Sequence, residues 1–200
     1  MDLKSTSIIV LTGGTSARFG SDKSLALING HTLIELVLAS IPDEVDVIIV
    51  GADPKFAGRS YRCVQEQPIS GGPVAGFKAG LEICTSEIVG LIATDMPFAT
   101  TPVINLFNSI KSHDDGVMYV DDVGFKQPLA AVYRVEAVEN AFIIMGRVEG
   151  KSMRELTSLL TIAEVTMSPD VMGALIDIDT PADLELAIAF AAQLKDNPRL

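Results

Sequence analysis

Tryptophan is absent from this 200-residue chain, and cysteine and histidine occur only twice each. Cys63 and Cys84 stand far apart and outside any paired-cysteine motif, which predicts reduced, buried thiols rather than a disulfide or a metal role. With only His31 and His113 as further ligands, the sequence also argues against a zinc site.

Basic residues are scarce as well, with 15 Lys and Arg against 26 Asp and Glu and a net charge of −11. A protein that binds nucleic acid needs a basic footprint, and no run of Lys or Arg occurs here. Nucleic acid is therefore not an expected partner. An anionic substrate would have to be bound by a few local cations and by backbone N–H groups.

Long hydrophobic runs are also missing, since no apolar stretch reaches the ~18 residues that suggest a membrane span. The first residues lack the long apolar region and the cleavage site of a signal peptide. We therefore expect a cytoplasmic protein without membrane association. Its length and its 48% of hydrophobic residues predict one globular domain over residues 1–200, with residues 1–5 and 195–200 frayed.

Strand and helix patterns alternate along the chain. Short apolar runs predict strands at residues 8–11, 45–50, 61–64, 88–93, 116–120, 129–133 and 175–178. Helical spacing and Pro or Gly boundaries predict helices at residues 32–41, 73–84, 101–110, 136–145, 152–160 and 180–194. This order predicts a single-domain, Rossmann-like α/β fold, with a mostly parallel sheet and helices on both faces. Ligands of such sheets bind beyond the carboxyl ends of the strands.

A glycine-containing segment follows the first predicted strand, reading Leu-Thr-Gly-Gly-Thr-Ser-Ala-Arg-Phe-Gly-Ser-Asp-Lys over residues 11–23. Gly13 and Gly14 allow the backbone to approach a phosphate closely, while Arg18 and Lys23 supply positive charge. The spacing is neither that of a P-loop nor Gly-x-Gly-x-x-Gly. The segment predicts a phosphate-binding turn of another kind.

Asp95 follows the apolar strand at residues 88–93 and precedes Met96-Pro97. A carboxylate at a strand end can coordinate Mg²⁺, which in turn contacts triphosphate oxygens, and we predict this role over that of a helix cap. Asp179 is open to two interpretations: it is a second metal ligand, or it caps the helix that begins at Thr180-Pro181.

Five segments resemble the molybdenum cofactor guanylyltransferase family, whose proteins have a nucleotide-diphospho-sugar transferase-like fold. The glycine segment resembles the family's Leu-Ala-Gly-Gly-x-Ser-x-Arg-x-Gly-x-Asp-Lys, with Thr12 in place of Ala. The other four are Gly72-Pro73-Val74-Ala75-Gly76, Thr94-Asp95-Met96-Pro97, Gln127-Pro128-Leu129-Ala130-Ala131 and Asp177-Ile178-Asp179-Thr180-Pro181-Ala182-Asp183-Leu184. These matches occur in the family's order and span residues 11 to 184.

The resemblance implies a Mg²⁺-dependent enzyme that transfers GMP from GTP to the phosphate of molybdopterin, with or without its molybdenum, and releases pyrophosphate. It also implies cofactor-delivery proteins or molybdoenzyme chaperones as candidate partners. The catalytic residues it implies are Arg18, Lys23 and Asp95, with Asp95 as metal ligand. The nucleotide-binding residues it implies are Leu11, Thr12, Gly13, Gly14, Lys23, Gln67 and Asp95. The acceptor-binding residues it implies are Gln127, Pro128 and Asp179.

Recognition of the guanine base is left open by the pair Glu66-Gln67. In many members of the family an acidic residue at the position aligned with Gln67 contacts guanine, and a carboxylate can accept from both N1–H and the exocyclic amine. Either Glu66 takes this role through a shift of one residue, or base recognition relies more on the backbone.

Several cations are candidates for binding the acceptor. Lys126 and Arg134 flank the strand predicted at residues 129–133, and Arg147, Lys151 and Arg154 form a looser group after it. Lys126 and Arg134 are better explained as ordinary surface cations, and a solvated helix face explains the other three as well as a role in binding does.

Two rival functions remain on the sequence alone. The first is a transferase that uses CTP or another nucleotide, although the cytidylyl relatives tend to read Leu-Ala-Ala-Gly where this chain has Gly13-Gly14. The second is a nucleotide-binding protein without catalysis, against which the presence of Arg18, Lys23 and Asp95 argues.

Overall fold

A seven-stranded sheet forms the centre of the computed structural model, which describes residues 3–13 and 26–196. The strands are β1 (Ser7–Leu11), β2 (Leu27–Ile28), β3 (His31–Thr32), β4 (Asp46–Val50), β5 (Arg62–Val64), β6 (Ile88–Ala93), β7 (Gly116–Val120), β8 (Lys126–Arg134) and β9 (Ile162–Thr166). The large sheet has the order β5-β4-β1-β6-β8-β7-β9, and β2 and β3 pair as a small hairpin apart from it. In the large sheet, strand β8 runs antiparallel to its neighbours β6 and β7, while the other pairs of that sheet are parallel.

Helices cover both faces of this sheet. They are α1 (Leu33–Ser40), α2 (Pro73–Leu81), α3 (Thr100–Leu106), α4 (Val135–Met145), α5 (Met153–Thr157), α6 (Pro169–Ala174) and α7 (Pro181–Asp196). Alternate residues of β1 face opposite layers: Ile8 belongs to the core cluster that contains α1 and α3 residues, and Ile9 to the cluster that contains α2 and α4 residues. A strand buried on both faces reads as a continuous apolar run, which is why β1 carries no polar alternation. The predicted fold class is confirmed.

The strand predicted at residues 175–178 is wrong. Leu175 is the C-cap of α6, and Ile178 is buried under α7 instead of pairing in the sheet. The last strand is β9, at the edge of the sheet beside β7, and its mixed Ile-Ala-Glu-Val-Thr sequence gave no continuous apolar run to detect. The hairpin of β2 and β3 and the short helix α6 were also missed.

The chain ends differ in part from the expected fraying. Leu3–Ser5 form a turn of 3-10 helix, and Leu3 packs against the core. At the other end, α7 continues to Asp196, two residues into the segment expected to fray.

Both cysteines are free thiols, but the expectation that they are buried is wrong for Cys63. It lies exposed on the edge strand β5, where only one neighbouring strand covers the chain. Burial and the nearby Asp53 carboxylate still raise the pKa of the Cys63 thiol. Cys84 is half-buried. Among the described residues, no helix has the length and apolar character needed to cross a bilayer.

Candidate active site

The ends of three parallel strands meet at one edge of the sheet. Leu11 of β1 is in register with Val50 of β4 on one side and with Ala93 of β6 on the other. The N–H and the hydroxyl of Thr12 both donate to the carbonyl of Val50 at 2.9 Å. The N–H and the hydroxyl of Thr94 donate to the carbonyl of Leu11, each at 3.1 Å. These bonds fix the loops that follow β1 and β6 against each other.

Gly51 makes room for the Thr12 side chain. Its φ is +121°, and a Cβ at this position would lie 2.1 Å from the Thr12 hydroxyl oxygen. Thr12, which stands where the related motif has Ala, is thus compatible with its surroundings because residue 51 has no side chain. Of the glycine segment itself, Gly14, Arg18 and Lys23 lie outside the described residues.

Three carboxylates converge beside this edge. Asp95, Asp177 and Asp179 each offer an oxygen, and these three atoms lie within 4.8 Å of one another. A backbone bond holds the two segments together, because the N–H of Ile178 donates to the carbonyl of Asp95 at 3.0 Å. Two of these carboxylates are half-buried and one is exposed, and oxygens at this spacing could hold a cation between them.

The donor set fits a hard divalent cation. It consists of carboxylate oxygens, without thiol or imidazole, and Mg²⁺ and Ca²⁺ prefer such ligands. Asp177 is the first residue of the motif at residues 177–184, but the motif alone did not predict it as a metal ligand. Its position two residues before Asp179 was the signal that could have identified it, since alternate residues of an extended segment point to the same side.

The helix-cap interpretation of Asp179 is wrong, because the cap of α7 is made one residue later. The Thr180 hydroxyl accepts from the N–H of Asp183 at 3.3 Å. The Asp183 carboxylate in return accepts from the N–H and the hydroxyl of Thr180, at 2.7 and 2.8 Å. This reciprocal capping box fixes the start of α7, and it leaves the Asp179 carboxylate in the acidic cluster.

A cavity of about 370 Å³ opens next to the acidic cluster, and we call it the first cavity. Its wall is formed by Leu11, Gly13, Val50, Glu66, Ser70, Gly72, Pro73, Gly76, Ala93, Asp95 and Leu129. It therefore joins the start of the glycine segment, the beginning of α2 and the end of β6. Pro73 at the first turn and Gly72 with its φ of +89° start α2 at this wall.

The structure places Glu66, rather than Gln67, in the wall of the first cavity. The Glu66 side chain is buried, and its two oxygens accept from the N–H of Ser70 at 3.0 Å and from the Gln65 amide at 2.6 Å. Gln67 is exposed and is not among the residues that line the cavity. Of the two interpretations that the sequence left open, the geometry favours the shift of one residue.

Of the three acceptor-side residues predicted from the sequence, two lie on a strand of the sheet and one lies in the loop before α7. Gln127 and Pro128 belong to β8, whose antiparallel direction brings its first residues beside the end of β6, since Ile92 pairs with Ala130. Leu129 lines the first cavity, while Pro128 lines a second cavity of about 650 Å³. Asp179 joins the acidic cluster instead.

Most of the candidate cations on this side have structural partners. Lys126 pairs with Glu164 at 2.5 Å, Arg147 with Glu149 at 3.1 Å, and Lys151 with Glu155 at 2.8 Å. The Arg134 guanidinium donates to the carbonyls of Asp114 and Lys111, each at 2.9 Å. Arg154 differs from these four, because its guanidinium has no ion pair or hydrogen bond among the described residues; like Lys126, it lines the second cavity.

The fold and the site define a nucleotidyltransferase: a mostly parallel α/β sheet carries the start of the glycine segment, a cavity and an acidic cluster at one carboxyl edge. The chain belongs to the family with the MobA-like NTP transferase domain, whose family model matches residues 8–159. The family predicted from the five motifs is confirmed.

Three proteins illustrate the similarity. Molybdenum cofactor guanylyltransferase of Vibrio atlanticus is 24% identical over 185 residues, covering 90% of this chain and 93% of that protein. The molybdopterin-guanine dinucleotide biosynthesis protein A of Archaeoglobus fulgidus has a similar structure, with a TM-score of 0.71, 23% identity and coverage of 94% and 99% of the two chains. The 4-diphosphocytidyl-2C-methyl-D-erythritol synthase of Anaerococcus prevotii gives a TM-score of 0.67 at 16% identity, covering 94% and 96%. This fold is therefore shared by proteins named for different nucleotides.

Proposed function

We propose that this protein transfers GMP from GTP to the phosphate of molybdopterin, in a reaction that depends on Mg²⁺ and releases pyrophosphate. The observation that carries the proposal is the convergence of Asp95, Asp177 and Asp179 beside a cavity lined by Gly13 and Glu66. The names of the relatives, molybdenum cofactor guanylyltransferase and molybdopterin-guanine dinucleotide biosynthesis protein A, support the choice of substrates.

In the proposed reaction an oxygen of the acceptor phosphate attacks the α-phosphorus of GTP. A new P–O bond forms there, and the bond from the α-phosphorus to the oxygen that bridges to the β-phosphorus breaks. A phosphate monoester is already charged near pH 7, so the attacking group does not depend on a general base. The main task of the protein is to hold two anions in line and to offset their charge.

Residues at different places in the site have different proposed roles in this reaction. The backbone around Gly13 would bind the triphosphate, and the Glu66 carboxylate would accept from the guanine N1–H and amine. Asp95, Asp177 and Asp179 would hold Mg²⁺, which when bound neutralises triphosphate charge and orients the leaving group. Arg18 and Lys23 are proposed to stabilise transition-state charge on the strength of the sequence motif. Gln127 and Pro128 would contact the acceptor.

The test of this proposal measures pyrophosphate release with molybdopterin and each of GTP, CTP, ATP and UTP. We expect turnover with GTP, complete dependence on added Mg²⁺ and loss of turnover with EDTA. Asp95→Asn should reduce kcat by about 1,000-fold or more, because charge stabilisation at the reacting phosphate depends on this ligand. Asp177→Asn and Asp179→Asn should raise the Mg²⁺ concentration required for half-maximal rate.

Asp43→Asn is the matched control, since Asp43 is an exposed residue of the turn after α1. Its rate should equal that of the wild type. Preferred turnover with CTP would replace the guanylyl assignment by a cytidylyl one. Tight GTP binding without turnover would instead indicate the nucleotide-binding protein without catalysis.

A further inference from the structure

The second cavity combines an apolar floor with an aromatic ring and a guanidinium group at its rim. Its volume is about 650 Å³, within the usual range for small-ligand sites. The floor includes Met118, Pro128 and Ile162, while Phe125 and Arg154 stand at the rim. Phe125 is 63% exposed, which is unusual for a residue of this size.

The position of this cavity relative to the acidic cluster follows from strand β8. Because Ile92 pairs with Ala130 in an antiparallel register, the chain before Ala130 runs alongside the end of β6 that leads to Asp95. Leu129 lines the first cavity and its neighbour Pro128 lines the second. Adjacent strands lie ~4.8 Å apart, so the second cavity begins roughly one strand away from the end of β6.

The rim of the second cavity is held in place by a short turn. The Asp121 carboxylate accepts from the N–H groups of Val123 and Phe125, at 3.0 and 2.7 Å, and the N–H of Asp121 donates to the Phe125 carbonyl at 3.0 Å. The position of the Phe125 backbone is thus fixed by two of these hydrogen bonds, although its ring is largely exposed to solvent.

The two cations that line the second cavity, Lys126 and Arg154, differ in whether they have an ion-pair partner. Lys126 is paired with Glu164, so its charge is largely offset. Arg154 makes no ion pair and its guanidinium donates no hydrogen bond among residues 3–13 and 26–196. In a chain with a net charge of −11, an unpaired guanidinium beside an apolar cleft is available to a ligand.

We propose that the second cavity binds the pterin ring of the acceptor, while the acceptor phosphate reaches the acidic cluster around Asp95. This inference rests on the proposed function and adds to it a binding site and two binding residues. The flat ring lies on the apolar floor and stacks with Phe125. The planar fork of Arg154 donates to the oxo and nitrogen acceptors of the ring edge, as arginine does with the guanine edge in DNA.

The experiment compares Phe125→Ala and Arg154→Met with the wild type in the same pyrophosphate assay. Loss of a bidentate arginine contact should raise KM for molybdopterin about tenfold or more, with KM for GTP within about twofold of the wild type. Arg154→Lys should show most of the same rise, because the charge stays but the fork is lost. Equilibrium dialysis of molybdopterin without nucleotide should show the same order of affinities.

Arg147→Met is the matched control, because it removes an equivalent charge from an exposed residue that does not line the cavity. Its KM for molybdopterin should not change. An unchanged KM for molybdopterin in both Phe125→Ala and Arg154→Met, with normal wild-type turnover, would overturn the placement of the pterin ring. A rise in KM for GTP alone would also overturn it, since the cavity would then serve the nucleotide. Absence of both binding and turnover in the wild type would instead remove the proposed function itself.

Discussion

The proposed choice of GTP depends on the side chain of one buried residue, Glu66. Each carboxylate oxygen can accept two hydrogen bonds, and in this structure each oxygen accepts one from the protein. One acceptor position on each oxygen is therefore left for a ligand in the first cavity. Guanine presents two adjacent donors, N1–H and the amine, which match this pair of oxygens.

Glu66→Gln should weaken the discrimination between GTP and ITP, which lacks the amine. Replacing one oxygen by an NH₂ group sets a donor against a donor, so kcat/KM for GTP should fall roughly 10- to 100-fold. The value for ITP should fall less, because only one of its donors loses a partner. Steady-state kinetics with both nucleotides measures the ratio.

Gln67→Ala serves as the control for this prediction, and its GTP-to-ITP ratio should match that of the wild type. An equal loss for both nucleotides in Glu66→Gln would show that Glu66 only supports the loop around Ser70. It would then have no part in reading the base.

At the scale of single residues, the sequence predicted which residues belong to the candidate site better than it predicted which of them lie next to one another. Asp95 and Asp179 could be named because both occur in short motifs beside predicted elements. The entry of Asp177 into the same cluster depends on the bond from the Ile178 N–H to the Asp95 carbonyl, which joins residues far apart in the chain. The choice between Glu66 and Gln67 depends on the direction of one loop, which no local pattern specifies.

Among the elements, α5 is short, and its start is fixed by local polar contacts. Its N-cap, Ser152, forms a capping box with Glu155, whose carboxylate also accepts from Lys151 at 2.8 Å. The hydrogen bond from Lys151, followed by those from Ser152, lowers the pKa of Glu155 from 4.5 to about 2. Because α5 also carries Arg154, this cap positions one wall of the second cavity.

The contribution of this cap to stability should depend on pH. The folded state lowers the pKa of Glu155, so the stabilising contribution is fully present above pH 4.5 and is lost as the pH falls towards 2. Glu155→Gln can keep the capping box but not the charge. The wild type should therefore melt at a higher temperature than Glu155→Gln at pH 7, and the difference should shrink between pH 4.5 and 2.

Thermal melts of the two proteins across this range test the prediction, with Glu164→Gln as a comparison on an edge strand. A difference in melting temperature between the wild type and Glu155→Gln that stays constant down to pH 2 would contradict it.

Elements with a continuous apolar or helical pattern could be predicted from the sequence, whereas the strand at the edge of the sheet could not. Strand β6 could be read directly because it is buried on both faces. Strand β9 is at the edge of the sheet and mixes polar with apolar residues, while Ile178 is apolar because it packs against α7 and Leu175 because it joins the core beside α3. An apolar run reports burial, and burial alone does not distinguish a strand from a loop under a helix.

Over the whole molecule, acidic residues outnumber basic ones, although the proposed substrates are themselves anions. The net charge is −11, and within the described residues several of the cations already pair with carboxylates. Mutual repulsion of the unpaired carboxylates opposes the compact state, and salt screens that repulsion.

Added NaCl should therefore raise the melting temperature between about 10 and 150 mM, the range in which the Debye length falls from about 30 to 8 Å. The double substitution Glu136→Lys and Glu139→Lys changes two exposed residues of α4 and should reduce this dependence on salt. Differential scanning calorimetry at several NaCl concentrations provides the measurement. A melting temperature that falls as salt is added would mean that attractive pairs outweigh the repulsion.

The bond between the Ile178 N–H and the Asp95 carbonyl has a consequence for the protein during its synthesis. Strands β1 and β6 leave the ribosome well before Asp177 and Asp179. A nascent chain can thus form most of its sheet while its acidic cluster is still incomplete. The proposed metal site is therefore a late product of folding, because it forms only once residues 177–179 have been synthesised and have docked beside the end of β6.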